Sequence, residues 1–129
     1  MSRLEEFLAI GKSTDIKEDI TIRIGGKDLT LTIRAMSESE HKECQNRAMT
    51  IGKKGVSFDS GKYNQMMIPM CIVEPDFRDA AFLEKAGCAT PWEFINSRFP
   101  AGVVEGISQK IQELSGFDSL GEEVEEAKN

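Results

Sequence analysis

Two short runs of alternating residues limit what this chain can fold into more than any other feature. In Ile20-Thr21-Ile22-Arg23-Ile24 and in Leu29-Thr30-Leu31-Thr32-Ile33-Arg34, every second side chain is apolar. A period of two sends alternate side chains to opposite faces of an extended strand, so each run is a half-buried strand. A two-residue turn at Gly26-Lys27, with glycine first as a type II′ turn requires, joins them into a hairpin. That register pairs Ile24 with Leu29, Ile22 with Leu31 and Ile20 with Ile33, and it gathers all six apolar side chains on one face. A slip of one residue would send one strand's apolar set to the other face. A lone hairpin is marginal in water, so this face must be covered by helices or further strands.

The remaining sequence reads as helical. Ser2-Arg-Leu-Glu5 is a capping box for a short helix to about Ile10, stopped by Gly11. Ser37-Glu-Ser-Glu40 opens a helix to about Ile51, and residues 52–61, with glycines at both ends, read as a flexible loop. Residues 63–73 form the most apolar segment, and Pro69 within it should kink or split a helix. Asp76 is the expected cap of a helix over Arg78–Ala86, ended by Gly87. Thr90-Pro-Trp-Glu93 combines an N-cap Thr, a Pro at the first helical position and a capping-box Glu. Pro100 opens a helix to Ser115, with Gly116 as its C′ residue and a stripe of Val103 or Val104, Ile107, Ile111 and Leu114. A short acidic helix follows Phe117. The expected fold is α+β, one N-terminal β-hairpin packed on a bundle of about five or six short helices, as a single domain over residues 1–129.

Charge is placed unevenly. Of the net −6, residues 113–129 carry −5, with six acids against Lys128 alone. The rest of the chain is nearly neutral and has no basic stripe, which argues against a nucleic-acid partner, because phosphate binding needs clustered Lys and Arg. No apolar run approaches the roughly 18 residues of a membrane span. The N-terminus has acids where a signal peptide needs an apolar run. Three widely spaced cysteines, Cys44, Cys71 and Cys88, suit reduced thiols in a cytosol.

Candidate chemistry is sparse. Gly55-Val-Ser-Phe-Asp-Ser-Gly61-Lys62 has one residue too many for a phosphate-binding loop, and Tyr63 stands where a magnesium-binding hydroxyl belongs. His41 and Cys44 share a predicted helix, but zinc needs more ligands at metal-like spacing, and no group is evident to orient a catalytic pair. The bland reading is a surface His and a buried or half-buried Cys. No cofactor or metal is expected. Met49, Met66, Met67 and Met70 are flexible enough either to fill a core or to line a surface that accepts varied helices. Trp92, Phe94 and Phe99 read first as core, although Trp92, at the start of a capped helix, can also anchor a partner.

Several segments resemble the XkdN-like family of tail assembly chaperones from long-tailed bacteriophages and prophages. They are Leu4-Glu-Glu-Phe-Leu8, Cys71-Ile-Val-Glu-Pro-Asp-Phe-Arg-Asp-Ala80, Ile111-Gln-Glu-Leu-Ser-Gly-Phe-Asp118 and Val124-Glu-Glu-Ala-Lys-Asn129. The resemblance implies a non-catalytic protein of the bacterial cytoplasm. It would bind the tape-measure protein, keep it soluble, help tail-tube protein assemble around it, and leave before the particle is complete. The alternative is a structural tail component retained in the virion. The contact residues expected on this basis are Met66, Met67, Met70, Trp92, Phe117 and Val124. The open hairpin edge also offers a route to self-association.

Overall fold

The computed structural model describes residues 2–117. This part of the chain holds six α-helices and five β-strands, four of the strands in two hairpins. In order they are α1 (Arg3–Leu8), β1 (Lys17–Ile24), β2 (Lys27–Arg34), α2 (Glu38–Ala48), β3 (Met49–Gly52), β4 (Gly55–Phe58), α3 (Ser60–Cys71), β5 (Ile72–Glu74), α4 (Ala80–Ala86), α5 (Pro91–Arg98) and α6 (Ala101–Leu114). The fold is α+β, with the expected N-terminal hairpin.

The hairpin turn differs from the sequence expectation. Gly25 and Gly26, at φ of 57° and 80°, form the two-residue turn in place of Gly26-Lys27. Both central residues have positive φ, which is the requirement of a type I′ turn and is met at no steric cost by glycine. The register is therefore shifted by two positions: Ile24 faces Lys27, Ile22 faces Leu29, Ile20 faces Leu31 and Glu18 faces Ile33. An even shift preserves the faces, so the apolar side still turns inward, and Ile22, Leu31 and Ile33 are buried.

β5 adds a third strand. It runs antiparallel to β2, with Ile33 opposite Ile72 and Thr32 opposite Glu74, and gives the sheet order β1-β2-β5. α3 runs through Pro69 without being split and ends at Cys71, where the chain becomes extended and enters the sheet. α6 lies across β1, β2 and α3. Its expected stripe faces inward, with Ile107 and Ile111 buried and Val103, Val104 and Leu114 half-buried against the core.

Local capping sets most helix starts. Ser37 Oγ accepts from the Glu40 N–H at 3.2 Å while Glu40 Oε1 accepts from the Ser37 N–H at 3.0 Å, completing the box. Thr90 Oγ1 accepts from the Glu93 N–H, but Glu93 reaches back one residue further than expected, to the Ala89 N–H. α4 starts later than Arg78: its cap is Asp79, which accepts from the Phe82 N–H, whereas Asp76 is held by Arg78. Gly87, at φ 71°, closes that helix as expected. Phe77, Phe82, Phe94 and Phe99 then pack α4 and α5 together, with ring centroids 4.8 to 6.3 Å apart.

Two polar ties lock the sheet to the helices. Arg34, the last residue of β2, grips Glu40 of α2 through two hydrogen bonds of 2.9 and 2.8 Å. Ser115, the C-cap of α6, accepts from the Met36 N–H at 2.9 Å and donates to the Ile111 carbonyl.

Candidate functional site

α3 divides its apolar residues between core and surface. Tyr63, Met67, Ile68 and Cys71 are buried, while Met66 and Met70 are half-buried. One helical turn separates Met66 from Met70, and neighbours divert them to different depressions. Met66 and Pro69 meet Pro91 and Trp92, carried to them by the capped start of α5. These residues, with Arg47, Lys62, Gln65 and Thr90, line an open groove of ≈ 660 Å³. Its floor is mostly apolar, and Arg47 and Lys62 give it positive charge. Met70 instead lines a smaller depression with Arg34, Ile72 and Arg78.

The expected contact residues thus fall in separate places. Met66 and Trp92 come together. Met70 stands apart from them, and Phe117 lies in a third depression with His41, Phe58 and Tyr63. Met67 is fully enclosed, so it serves the core and touches no surface. Val124 and the acidic helix expected after Phe117 lie outside the described residues.

His41 is half-buried rather than on the open surface. Its Nδ1 lies 2.7 Å from the Tyr63 hydroxyl, and its ring centroid is 4.6 Å from that of Phe117. This bond occupies the imidazole with a phenol whose own pKa burial pushes up to about 12. Cys44, on the same helix, is buried, and desolvation raises its thiol to about 11; Cys71 is raised to about 12 by the same cause. Such thiols hold few thiolates at neutral pH and are poor nucleophiles. Native protein is therefore expected to show one fast-reacting thiol toward iodoacetamide, the half-buried Cys88, with the other two reacting only on unfolding. Mass spectrometry of the labelled peptides checks this, and rapid native labelling of Cys44 would contradict the burial described.

Among the described residues, no group of three or more His, Cys, Asp or Glu side chains is placed to hold a metal ion. The glycine-flanked segment before α3 offers no phosphate cradle either. Asp59 caps α3 and its carboxylate already accepts from the Gly61 and Lys62 N–H groups. A fixed negative charge at that point opposes an anion.

The stretch expected to continue α2 and then form a flexible loop is a second hairpin. α2 stops at Ala48, and β3 pairs with β4 in the register Met49–Phe58, Thr50–Ser57, Ile51–Val56 and Gly52–Gly55. The Asp59 N–H donates to the Ala48 carbonyl and closes the base. Met49, Ile51, Val56 and Phe58 all lie on one face, and all are exposed, Ile51 by 84%. The sequence signal was present as two three-residue alternations flanking Gly52 and Gly55. Each was too short to outweigh the helical pattern running into it.

Comparison with known proteins places this architecture. The sequence profile of the phage XkdN-like tail assembly chaperones matches residues 4–128. The crystal structure of the protein YqbN superposes with a TM-score of 0.57 at 17% identity, covering 79% of this chain and 87% of that one. At that identity the likeness concerns the fold. A search of curated proteins returns no match.

Proposed function

Because the chain belongs to the phage XkdN-like tail assembly chaperone family, we propose that it binds the tape-measure protein in the host cytoplasm and assists assembly of the tail tube around it. The observation that carries this reading is the family match along residues 4–128. The groove between α3 and α5 supplies a compatible surface. A tape-measure helix presents an apolar stripe before the tube encloses it, and such a stripe aggregates unless covered. Met66 and Trp92 offer a tolerant side chain and a large anchor for it, and Arg47 and Lys62 suit acidic residues on its flank. Met70 and Phe117 extend the contact only if the partner wraps beyond this groove. No described helix is long and apolar enough to cross a membrane.

Co-expression with the neighbouring tape-measure protein tests the proposal. The partner is expected to become soluble and to co-purify. Trp92→Ala is expected to weaken the complex by about 2 kcal/mol, roughly thirty-fold in affinity, and to cost binding more than stability, because Trp92 packs on the core with only part of its surface. Pull-down and thermal melting together separate the two effects. If the melting temperature collapses instead, Trp92 acts in the core. If the tape-measure protein aggregates regardless, the proposed role fails. Finding the chain at constant stoichiometry in purified virions would point to a retained structural component.

A further inference from the structure

β1 is the outer strand of the three-stranded sheet, and among the described residues no strand pairs with its free edge. Two observations fix which of its residues bond to β2. Ile24 and Lys27 form the pair that closes the two-residue turn, and the Ala35 N–H donates to the Ile16 carbonyl at 2.9 Å. Even-numbered residues from 16 to 24 therefore bond to β2, and Lys17, Asp19, Thr21 and Arg23 turn their N–H and C=O groups outward. All four are exposed. An eight-residue edge with an unbroken register, and without proline, is a template for another strand. Charged side chains usually blunt such an edge, but here they complement one another.

We propose that two copies of this chain pair through antiparallel β1 strands centred on Thr21, which joins their sheets into one. A twofold pairing that keeps both apolar faces on the same side must centre on a residue. Centred on Thr21, it sets Asp19 opposite Arg23 of the second copy at two symmetric places, and Ile20 opposite Ile22. Other centres lose this match. Ile20 at the centre sets Lys17 against Arg23, Asp19 at the centre faces itself, and Ile22 at the centre leaves Asp19 opposite Gly25. Within one copy, Asp19 accepts from the Thr32 hydroxyl, and Arg23 pairs with Asp28 in a largely exposed bridge that is worth little. Both charges stay open to a cross-strand partner. On the apolar side, α6 leaves an open depression of ≈ 350 Å³ beside β1, lined in part by Ile20, Ile22, Val103 and Gly106. Ile20 is half-buried there, and Ile22 of the second copy would lie next to it. The inference concerns self-pairing of the chain, so it stands or falls separately from the tape-measure proposal.

Analytical ultracentrifugation of the full-length chain tests it. The chain is expected to shift from monomer to dimer as concentration rises. Thr21→Pro removes an outward N–H and leaves the bonds to β2 in place, so it is expected to raise the dimer Kd at least about ten-fold at unchanged circular dichroism. Asp19→Arg and Arg23→Asp, each alone, set like charges opposite one another and are expected to weaken the dimer about ten-fold. Mixing these two variants restores opposite charges and is expected to recover a dimer holding one of each. In a Cys88→Ser background, Thr21→Cys is expected to form a disulfide-linked dimer under mild oxidation. Thr30→Cys, opposite Thr21 on β2 and equally exposed, is expected not to, because its two copies would stand about 14 Å apart. A monomer at every concentration would overturn the proposal. So would a dimer that Thr21→Pro and the like-charge variants leave intact, a mixture without a mixed dimer, or equal disulfide yields at Thr21 and Thr30.

Discussion

Replacing Ile33 with alanine is expected to remove about 3–4 kcal/mol of unfolding free energy. Ile33 is fully buried in β2, the central strand of the sheet, between Glu18 of β1 and Ile72 of β5. Truncation loses the transfer free energy of the deleted carbons and leaves a cavity. Strands on both sides hold the backbone in place, so little of that cavity closes. Against a total of about 5–15 kcal/mol for a domain, this is a large share. The same truncation at Ile51, 84% exposed on the second hairpin, is expected to change stability by no more than about 0.5 kcal/mol. Urea denaturation of both variants measures the contrast. The midpoint should fall for Ile33→Ala at unchanged slope, and a loss below about 1 kcal/mol would show that the site is not closed in.

The second large effect is electrostatic. Glu40→Gln is expected to cost about 2–3 kcal/mol at neutral pH. Arg34 grips the Glu40 carboxylate through two hydrogen bonds, and this pairing, helped by the Ser37 N–H, lowers the Glu40 pKa to about 2 despite some desolvation. Arg34 is raised by the same hydrogen bond. Both side chains are mostly screened from solvent, at 17% and 22% exposure, so the pair is worth more than an open surface bridge. The unfolded carboxyl titrates near 4.5, above the folded value. Between those two values the unfolded state binds more protons, so stability rises with pH through that window. The contribution is complete above it and lost as pH falls toward 2. The stability difference between the parent protein and Glu40→Gln should therefore be constant from neutral pH to about 5 and shrink below 4.5. Parallel denaturation series at stepped pH read this directly. A difference that persists unchanged at pH 2 would assign the cost to lost capping geometry instead of charge.

The groove that best suits a partner was only partly legible beforehand. Met66, Met67 and Met70 look alike in sequence, yet one lines the groove with Trp92, one is sealed in the core and one turns toward Arg34 and Ile72. Which way each points depends on where α5 and α6 settle against α3, and no property of the methionines themselves encodes that. Arg47 and Lys62 joined the groove for the same reason. They come from different helices and share no local pattern.

Local physics made other features readable without coordinates. The Ser37 and Thr90 caps, the Gly87 stop and the α6 stripe all rest on residues within one or two turns of each other. Their hydrogen bonds and periodicity involve only near neighbours in the sequence. The faces of the first hairpin belong to the same class, since alternation alone determines which side chains share a side. Its register does not. Shifts by two leave the faces unchanged, and the choice fell to the turn, where Gly25-Gly26 supplies both positive φ angles of a type I′ turn. Tertiary structure alone decided that Ile72–Glu74 leaves its helix to pair with β2, that His41 meets Tyr63, and that residues 49–58 form strands. Each of these depends on partners distant in sequence or on segments too short to declare their own period, and a one-dimensional pattern carries no record of which distant surface will supply the missing contact.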